Sequence, residues 1–131
     1  MSAHIVLIED HPDNMELMAY LLEAAGYTYS CATDGAEGLQ AIRRERPDLI
    51  ICDLQMPIVD GFEVLRQLRQ DPSLHHTPIV AVTAQCMPGD RQKILRAGFD
   101  DYFSKPIEPQ AFVAQLETCL PPDARARGRG M

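Results

Sequence analysis

Four apolar runs in this chain each stop at side chains able to do chemistry: Glu9 and Asp10 after the first, Asp53, Thr83, and Lys105 near the end. Taken singly they are ordinary, since an acid after a strand usually solvates a loop or caps a helix, and a lone lysine is a surface group. Gathered at one edge of one sheet, they would place three carboxylates, a hydroxyl and an ammonium together. Three such carboxylates repel one another and raise at least one proton affinity unless cations compensate. Lys105 is one cation, and a hard, oxygen-liganded ion such as Mg2+ is the natural second.

Whether they meet depends on the elements between them. Strand-like and helix-like segments alternate throughout, the pattern of a parallel sheet covered by helices on both faces. Ile5 to Ile8 is continuously apolar, as in a strand buried on both sides. Asp13 to Ala25 sets Met15, Met18, Leu22 and Ala25 at helical spacing, with Pro12 before and Gly26 after. A strand at Thr28 to Ala32, a helix from Ala36 to Arg46 and a strand at Leu49 to Cys52 follow. Asp60 and Glu63 have capping-box spacing, so a third helix should begin at Gly61 and show Phe62, Leu65 and Leu68 to the core. Ile79 to Val82 is the fourth strand. Pro88 suits the first turn of a fourth helix, with Ile94 and Leu95 inward and Gly98 closing it. Asp101 to Phe103 is a short fifth strand, and a last helix runs from Pro109 to Leu120, stopped by Pro121 and Pro122.

Short right-handed crossovers leave few topologies for such units. The flavodoxin-like α/β arrangement, a five-stranded parallel sheet in the order 2-1-3-4-5 flanked by five helices, is the commonest. Ligands of open α/β sheets bind at the carboxyl ends of the strands, where the candidate residues lie.

These residues carry a family resemblance. The run Asp53-Leu54-Gln55-Met56-Pro57-Ile58-Val59-Asp60-Gly61, preceded by Leu49-Ile50-Ile51-Cys52, resembles the phosphoacceptor segment of response regulator receiver domains of the CheY-like type. The acidic pair Glu9-Asp10, the Thr83-Ala84 step, and Lys105-Pro106 with Tyr102 three residues before the lysine stand in the expected order, so the resemblance spans residues 4 to 120. It implies a phosphorylation-dependent signalling switch rather than an enzyme acting on other substrates. Asp53 would be the phosphoacceptor, taking a phosphoryl group from a sensor histidine kinase or a histidine phosphotransfer protein. Mg2+ would be held by Asp10, Asp53 and the carbonyl of Gln55, with Glu9 acting through water. Thr83, the Ala84 N–H and Lys105 would bind the phosphoryl oxygens, Tyr102 would turn with Thr83 as a switch, and the Lys105-Pro106 peptide would be cis. Gln55 and Gln85 would flank the attack path and tune self-hydrolysis. Output would pass to a downstream protein through the face formed by helix four, strand five and helix five. The stretch Asp10-His11-Pro12-Asp13-Asn14 resembles the start of helix one in relay or single-domain regulators.

Composition narrows the field. A chain of 131 residues with 46% hydrophobic content suits one domain, read as a receiver domain over 1–120 and a flexible tail over 121–131. Met1 and the Pro121-Pro122 ending suit a complete small protein without an effector domain. The longest apolar runs are far too short to span a bilayer and no leader opens the chain, so a cytoplasmic protein without membrane attachment is expected. The formal charge of −7 argues against nucleic acid as partner. Arg125, Arg127 and Arg129 in the tail could meet an acidic partner, though a solvated end explains them as well. Cys31, Cys52, Cys86 and Cys119 lack metal-ligand spacing and read as buried or half-buried free thiols. His4, His11, His75 and His76 form no ligand motif, and the last two should lie exposed in a turn. A monomer or weak homodimer is expected.

Three rivals fit less well. A flavin carrier would want a Ser/Thr/Gly-rich loop where Glu9 to Asp13 places acids. A phosphohydrolase of the haloacid dehalogenase type would want Asp-x-Asp after its first strand. A receiver fold serving as a constitutive adaptor would not need the full set of site residues.

Overall fold

The computed structural model describes residues 3–84 and 88–120; Gln85, Cys86 and the 121–131 tail, each given a role above, lie outside them. Five strands alternate with five helices: β1 (His4–Ile8), α1 (Pro12–Ala24), β2 (Thr28–Ala32), α2 (Gly35–Glu45), β3 (Leu49–Asp53), α3 (Gly61–Gln70), β4 (Ile79–Thr83), α4 (Asp90–Ala97), β5 (Asp101–Ser104) and α5 (Pro109–Glu117). All pairings are parallel and the strand order is β2-β1-β3-β4-β5, as the alternation predicts.

Period-two alternation splits each central strand between two cores. Ile5, Leu7, Leu49, Ile51, Val80 and Val82 pack against Met18 and Leu22 of α1 and Phe112 and Leu116 of α5. Val6, Ile8, Ile50, Cys52 and Ala81 pack against Leu39 and Ile42 of α2, Val64 and Leu68 of α3, and Ile94 of α4. Burial on both faces explains why β3 and β4 read as unbroken apolar runs: every residue in them is buried.

Caps set several boundaries. The Asp60 carboxylate accepts from the Glu63 N–H at 3.0 Å, so α3 begins at Gly61 as the spacing predicts. The Glu63 carboxylate instead takes Arg66 and Gln67 as partners, leaving the box one-sided. Two boundaries differ from expectation by more than one residue. Pro88 does not open α4, because Gly89 adopts φ 92° and its left-handed backbone delays the helix to Asp90. The last helix stops at Glu117 rather than Leu120: the Thr118 hydroxyl donates to the Gln115 carbonyl at 2.7 Å, and the chain continues in a turn that still buries Leu120.

Among the cysteines, Cys52 is buried and Cys119 half-buried, but Cys31 is exposed, against expectation. It lies on β2, an edge strand that helices cover incompletely. His75 and His76 are exposed in the turn after α3, with ring centroids 3.8 Å apart. No helix among the described residues is long and apolar enough to cross a membrane.

Candidate functional site

Strand register places the polar residues before any side chain is considered. Ile8 is level with Cys52, so Glu9 and Asp53 stand side by side at the carboxyl ends of β1 and β3. Asp53 is level with Val82 and Thr83 with Ser104, which sets Thr83 and Lys105 one step further out on β4 and β5. Backbone bonds carry the ladder past the strands: Glu9 N–H donates to Ala32, Leu54 N–H to Val82 and Lys105 N–H to Thr83, at 3.0, 3.0 and 2.9 Å. The candidate residues thus sit on the sheet itself, with little backbone freedom.

The side chains converge. Lys105 Nζ donates to Asp53 Oδ2 at 3.2 Å and to Glu9 Oε2 at 3.3 Å. One oxygen from each of Glu9, Asp10 and Asp53 lies within 4.8 Å of the others. Glu9, Asp53 and Thr83 are buried, while Asp10 is exposed at the mouth. Gln55 N–H donates to Asp53 Oδ1 at 3.0 Å, and His11 N–H, at the start of α1, donates to Glu9 Oε2 at 3.1 Å.

Burial and charge crowding together perturb the site. Burial first, and then the neighbouring Asp53 carboxyl, raise Glu9 from 4.5 to about 7. Burial pulls the Lys105 ammonium down, but Glu9 and Asp53 outweigh it and hold the lysine above its ordinary value. Beneath them the buried Cys52 thiol, raised by burial and by the Asp53 and Glu9 charges, stays protonated and donates weakly to the Asp53 carbonyl at 3.4 Å.

Glu9 Oε1 is buried without a hydrogen-bond partner among the described residues. A buried, unpartnered carboxylate oxygen is costly unless something outside the chain satisfies it. With Asp10 and Asp53 adjacent, the donor set consists of carboxylate oxygens, the kind that Mg2+ prefers. The residues present therefore fit such an ion.

Tyr102 is half-buried on β5, packed against the core beneath α4, and its carbonyl accepts from Gln115 Nε2 of α5 at 2.9 Å. It thus links β5 with helices on both faces. Ala84 is exposed just beyond Thr83, and the Lys105–Pro106 peptide is cis.

Some features of the site region carry no sequence signal. The β3–α3 loop is pinned by Gly61, whose N–H donates to Leu54 at 3.2 Å and whose missing Cβ lets the backbone come close to the Asp53 carbonyl. Ile58 adopts a positive φ of 69°. The glycine was legible as a helix start and not as a close contact; the isoleucine gave no warning at all.

Comparison with known proteins agrees with this fold and shows the family. The family model described as the response regulator receiver domain matches residues 5–117. The polar-differentiation response regulator DivK of Brucella anthropi is 40% identical over 120 residues, covering 92% of this chain and 98% of that protein. The chemotaxis protein CheY4 of Vibrio cholerae superposes with a TM-score of 0.85 at 28% identity, covering 92% of this chain and all of the other. The receiver domain of sensor histidine kinase PA1611 from Pseudomonas aeruginosa, solved with a magnesium ion coordinated in its active-site cleft, superposes with a TM-score of 0.81 at 31% identity, covering 90% and 97%. The chain belongs to the response regulator receiver domain family of two-component signalling.

Proposed function

We propose that this chain is a signalling switch that accepts a phosphoryl group on Asp53. The observation that carries the reading is the Lys105 ammonium, hydrogen-bonded at once to Asp53 and Glu9 beside the unpartnered Glu9 oxygen. Three acids and one lysine form a pocket prepared for more positive charge, and then for a dianion.

In the transfer, the Asp53 carboxylate attacks phosphorus, the bond from phosphorus to a histidine ring nitrogen breaks, and that nitrogen takes a proton from water as a mixed acyl phosphate forms. Asp10, Asp53 and the Gln55 carbonyl would hold Mg2+, with Glu9 acting through water; when bound, the ion neutralises charge on the phosphoryl oxygens. Lys105 exchanges its contact with the acids for one with a phosphoryl oxygen. The Thr83 hydroxyl and Ala84 N–H donate to the other oxygens. Movement of Thr83 gives Tyr102 room to turn, which reshapes the face of α4, β5 and α5 for a downstream protein. Donors are a sensor histidine kinase or a histidine phosphotransfer protein, in the cytoplasm, with neither nucleic acid nor membrane as partner.

The test is incubation with Mg2+ and acetyl phosphate, followed by intact mass and peptide mapping. One phosphoryl group on Asp53, absent with EDTA and in Asp53→Asn, supports the proposal. Modification elsewhere, or uptake indifferent to Mg2+, refutes it.

A further inference from the structure

We infer that Ile58 is an apolar anchor for the protein that delivers the phosphoryl group, an inference that rests on the phosphoacceptor role proposed for Asp53. Two costs meet at this residue. Val59 N–H donates to the Pro57 carbonyl at 2.8 Å, closing a three-residue turn centred on Ile58 at φ 69°. This positive-φ γ-turn is rare and strained, and a β-branched side chain is among the worst suited to it. The side chain is also fully exposed, the more exposed of the two large apolar side chains left at the surface among the described residues.

Nothing within the fold offsets these costs. A fully exposed side chain buries no apolar area, so the core gains nothing from an isoleucine here. Nor can the loop relax. Met56 is buried in the core before the turn; after it, Val59 presses on Gly35 of α2, where even a Cβ would lie 2.4 Å from the Val59 carbonyl, and Asp60 caps α3. Glycine or asparagine would meet the backbone requirement at lower cost. A strained, exposed apolar residue on a rigid loop points to a contact with something outside the chain.

The position identifies the occupant. Asp53 is only 2% exposed, so a donor protein must press its surface around the cleft mouth to bring phosphorus within bonding distance. The loop bearing Ile58 begins at the residue after Asp53 and forms part of that rim. Shallow depressions flank the knob, one toward Gly35 and Pro57, the other toward Phe62 and Arg66. A surface with an apolar pocket beside its phosphohistidine fits this relief. A small phosphodonor enters the cleft without touching Ile58.

The experiment compares wild type with Ile58→Asn, Ile58→Gly and Ile58→Leu. The donors are acetyl phosphate and the ATP-phosphorylated cytoplasmic portion of whichever histidine kinase of the same genome phosphorylates wild type fastest. Expected are equal acetyl phosphate rates for all four proteins, and a loss of about tenfold or more in kcat/KM from the kinase for Asn and Gly, carried by KM. Ile58→Leu stays within about twofold, as volume-conserving apolar swaps do. The melting temperatures of Ile58→Asn and Ile58→Gly do not fall, since no packing is lost. Undiminished kinase transfer to Ile58→Asn overturns the inference alone. So does a clear drop in melting temperature, which would give the side chain an internal role, or a phosphorylation-dependent dimer that Ile58→Asn abolishes, which would assign the surface to a second copy. If neither acetyl phosphate nor any kinase phosphorylates wild-type Asp53, the reading beneath it fails first.

Discussion

Metal-free protein should lose stability as pH rises from 5 to 8, and Glu9 should account for the loss. Its carboxyl titrates near 4.5 in the unfolded chain and, through burial and the nearby Asp53, at about 7 in the fold. Between those values the folded state binds more protons than the unfolded state, so stability falls as pH rises. Below 4.5 both states are protonated and the penalty vanishes; above 7 it is complete. At about 1.4 kcal/mol per pH unit the whole gap amounts to about 3 kcal/mol, of which roughly 2–3 kcal/mol falls between pH 5 and 8.

The chain has no tryptophan, so far-UV circular dichroism in urea with EDTA is the suitable assay. With a slope of about 1–3 kcal/mol/M, the Glu9 contribution moves the unfolding midpoint by about 1–2 M. Glu9→Gln keeps the shape and cannot ionise, so the difference between wild type and variant isolates this one carboxyl from every other titrating group. Wild type and Glu9→Gln should lie close together at pH 5 and separate by pH 8, with the variant more stable. Adding Mg2+ at pH 8 should raise wild type toward the variant. Parallel pH profiles for the two proteins would refute the reasoning.

Lys105→Met removes the cation shared by Glu9 and Asp53; it should steepen the pH dependence just described and slow acetyl phosphate uptake by about tenfold or more, followed by intact mass. Gly61→Ala would drive a Cβ to 2.7 Å from the Asp53 carbonyl and 2.9 Å from Leu54 Cα, both backbone atoms, so it should cost about 1–3 kcal/mol in urea unfolding and slow uptake as well. Tyr27→Phe removes the hydroxyl that donates to the buried Glu117 carboxylate, joining the end of α1 to α5; a loss of about 1–3 kcal/mol with uptake unchanged is expected, because this pair lies at the far end of the sheet.

The sheet was legible because burial on both faces leaves a coarse mark: Ile5 to Ile8, Leu49 to Cys52 and Ile79 to Val82 are unbroken apolar runs, and each ends at a residue of the candidate site. Asp60 likewise announced α3 through its cap. What escaped the sequence depends on contacts between distant segments or on a single dihedral angle. Proline is compatible with a helix start, so Pro88 could not reveal that Gly89 would turn left-handed and delay α4. Cys31 resembles its buried neighbours in composition, and only the strand order places it on an edge. Nothing local to Glu117 signals that the fold buries it against Tyr27. At the opposite edge from the candidate site, His4 sits between Thr28 and Glu45 at 2.8 and 2.6 Å, a network that no local motif encodes.

A constitutive adaptor could use this same fold, and the energetics of Glu9 weigh against it. An adaptor needs its outer faces and gains nothing from a carboxylate held in the sheet edge with one oxygen unpartnered. Glutamine at that position would keep the shape and remove most of the ionisation penalty. The glutamate is intelligible where the pocket must alternate between receiving a cation and receiving a phosphoryl group, because charge that destabilises the empty site is what attracts the ion. Lys105 follows the same logic, since an ammonium already bonded to two acids can transfer to a phosphoryl oxygen with little displacement. On the proposed function, the site would store electrostatic cost in the resting protein and release it on occupancy, as a switch requires and a passive scaffold does not.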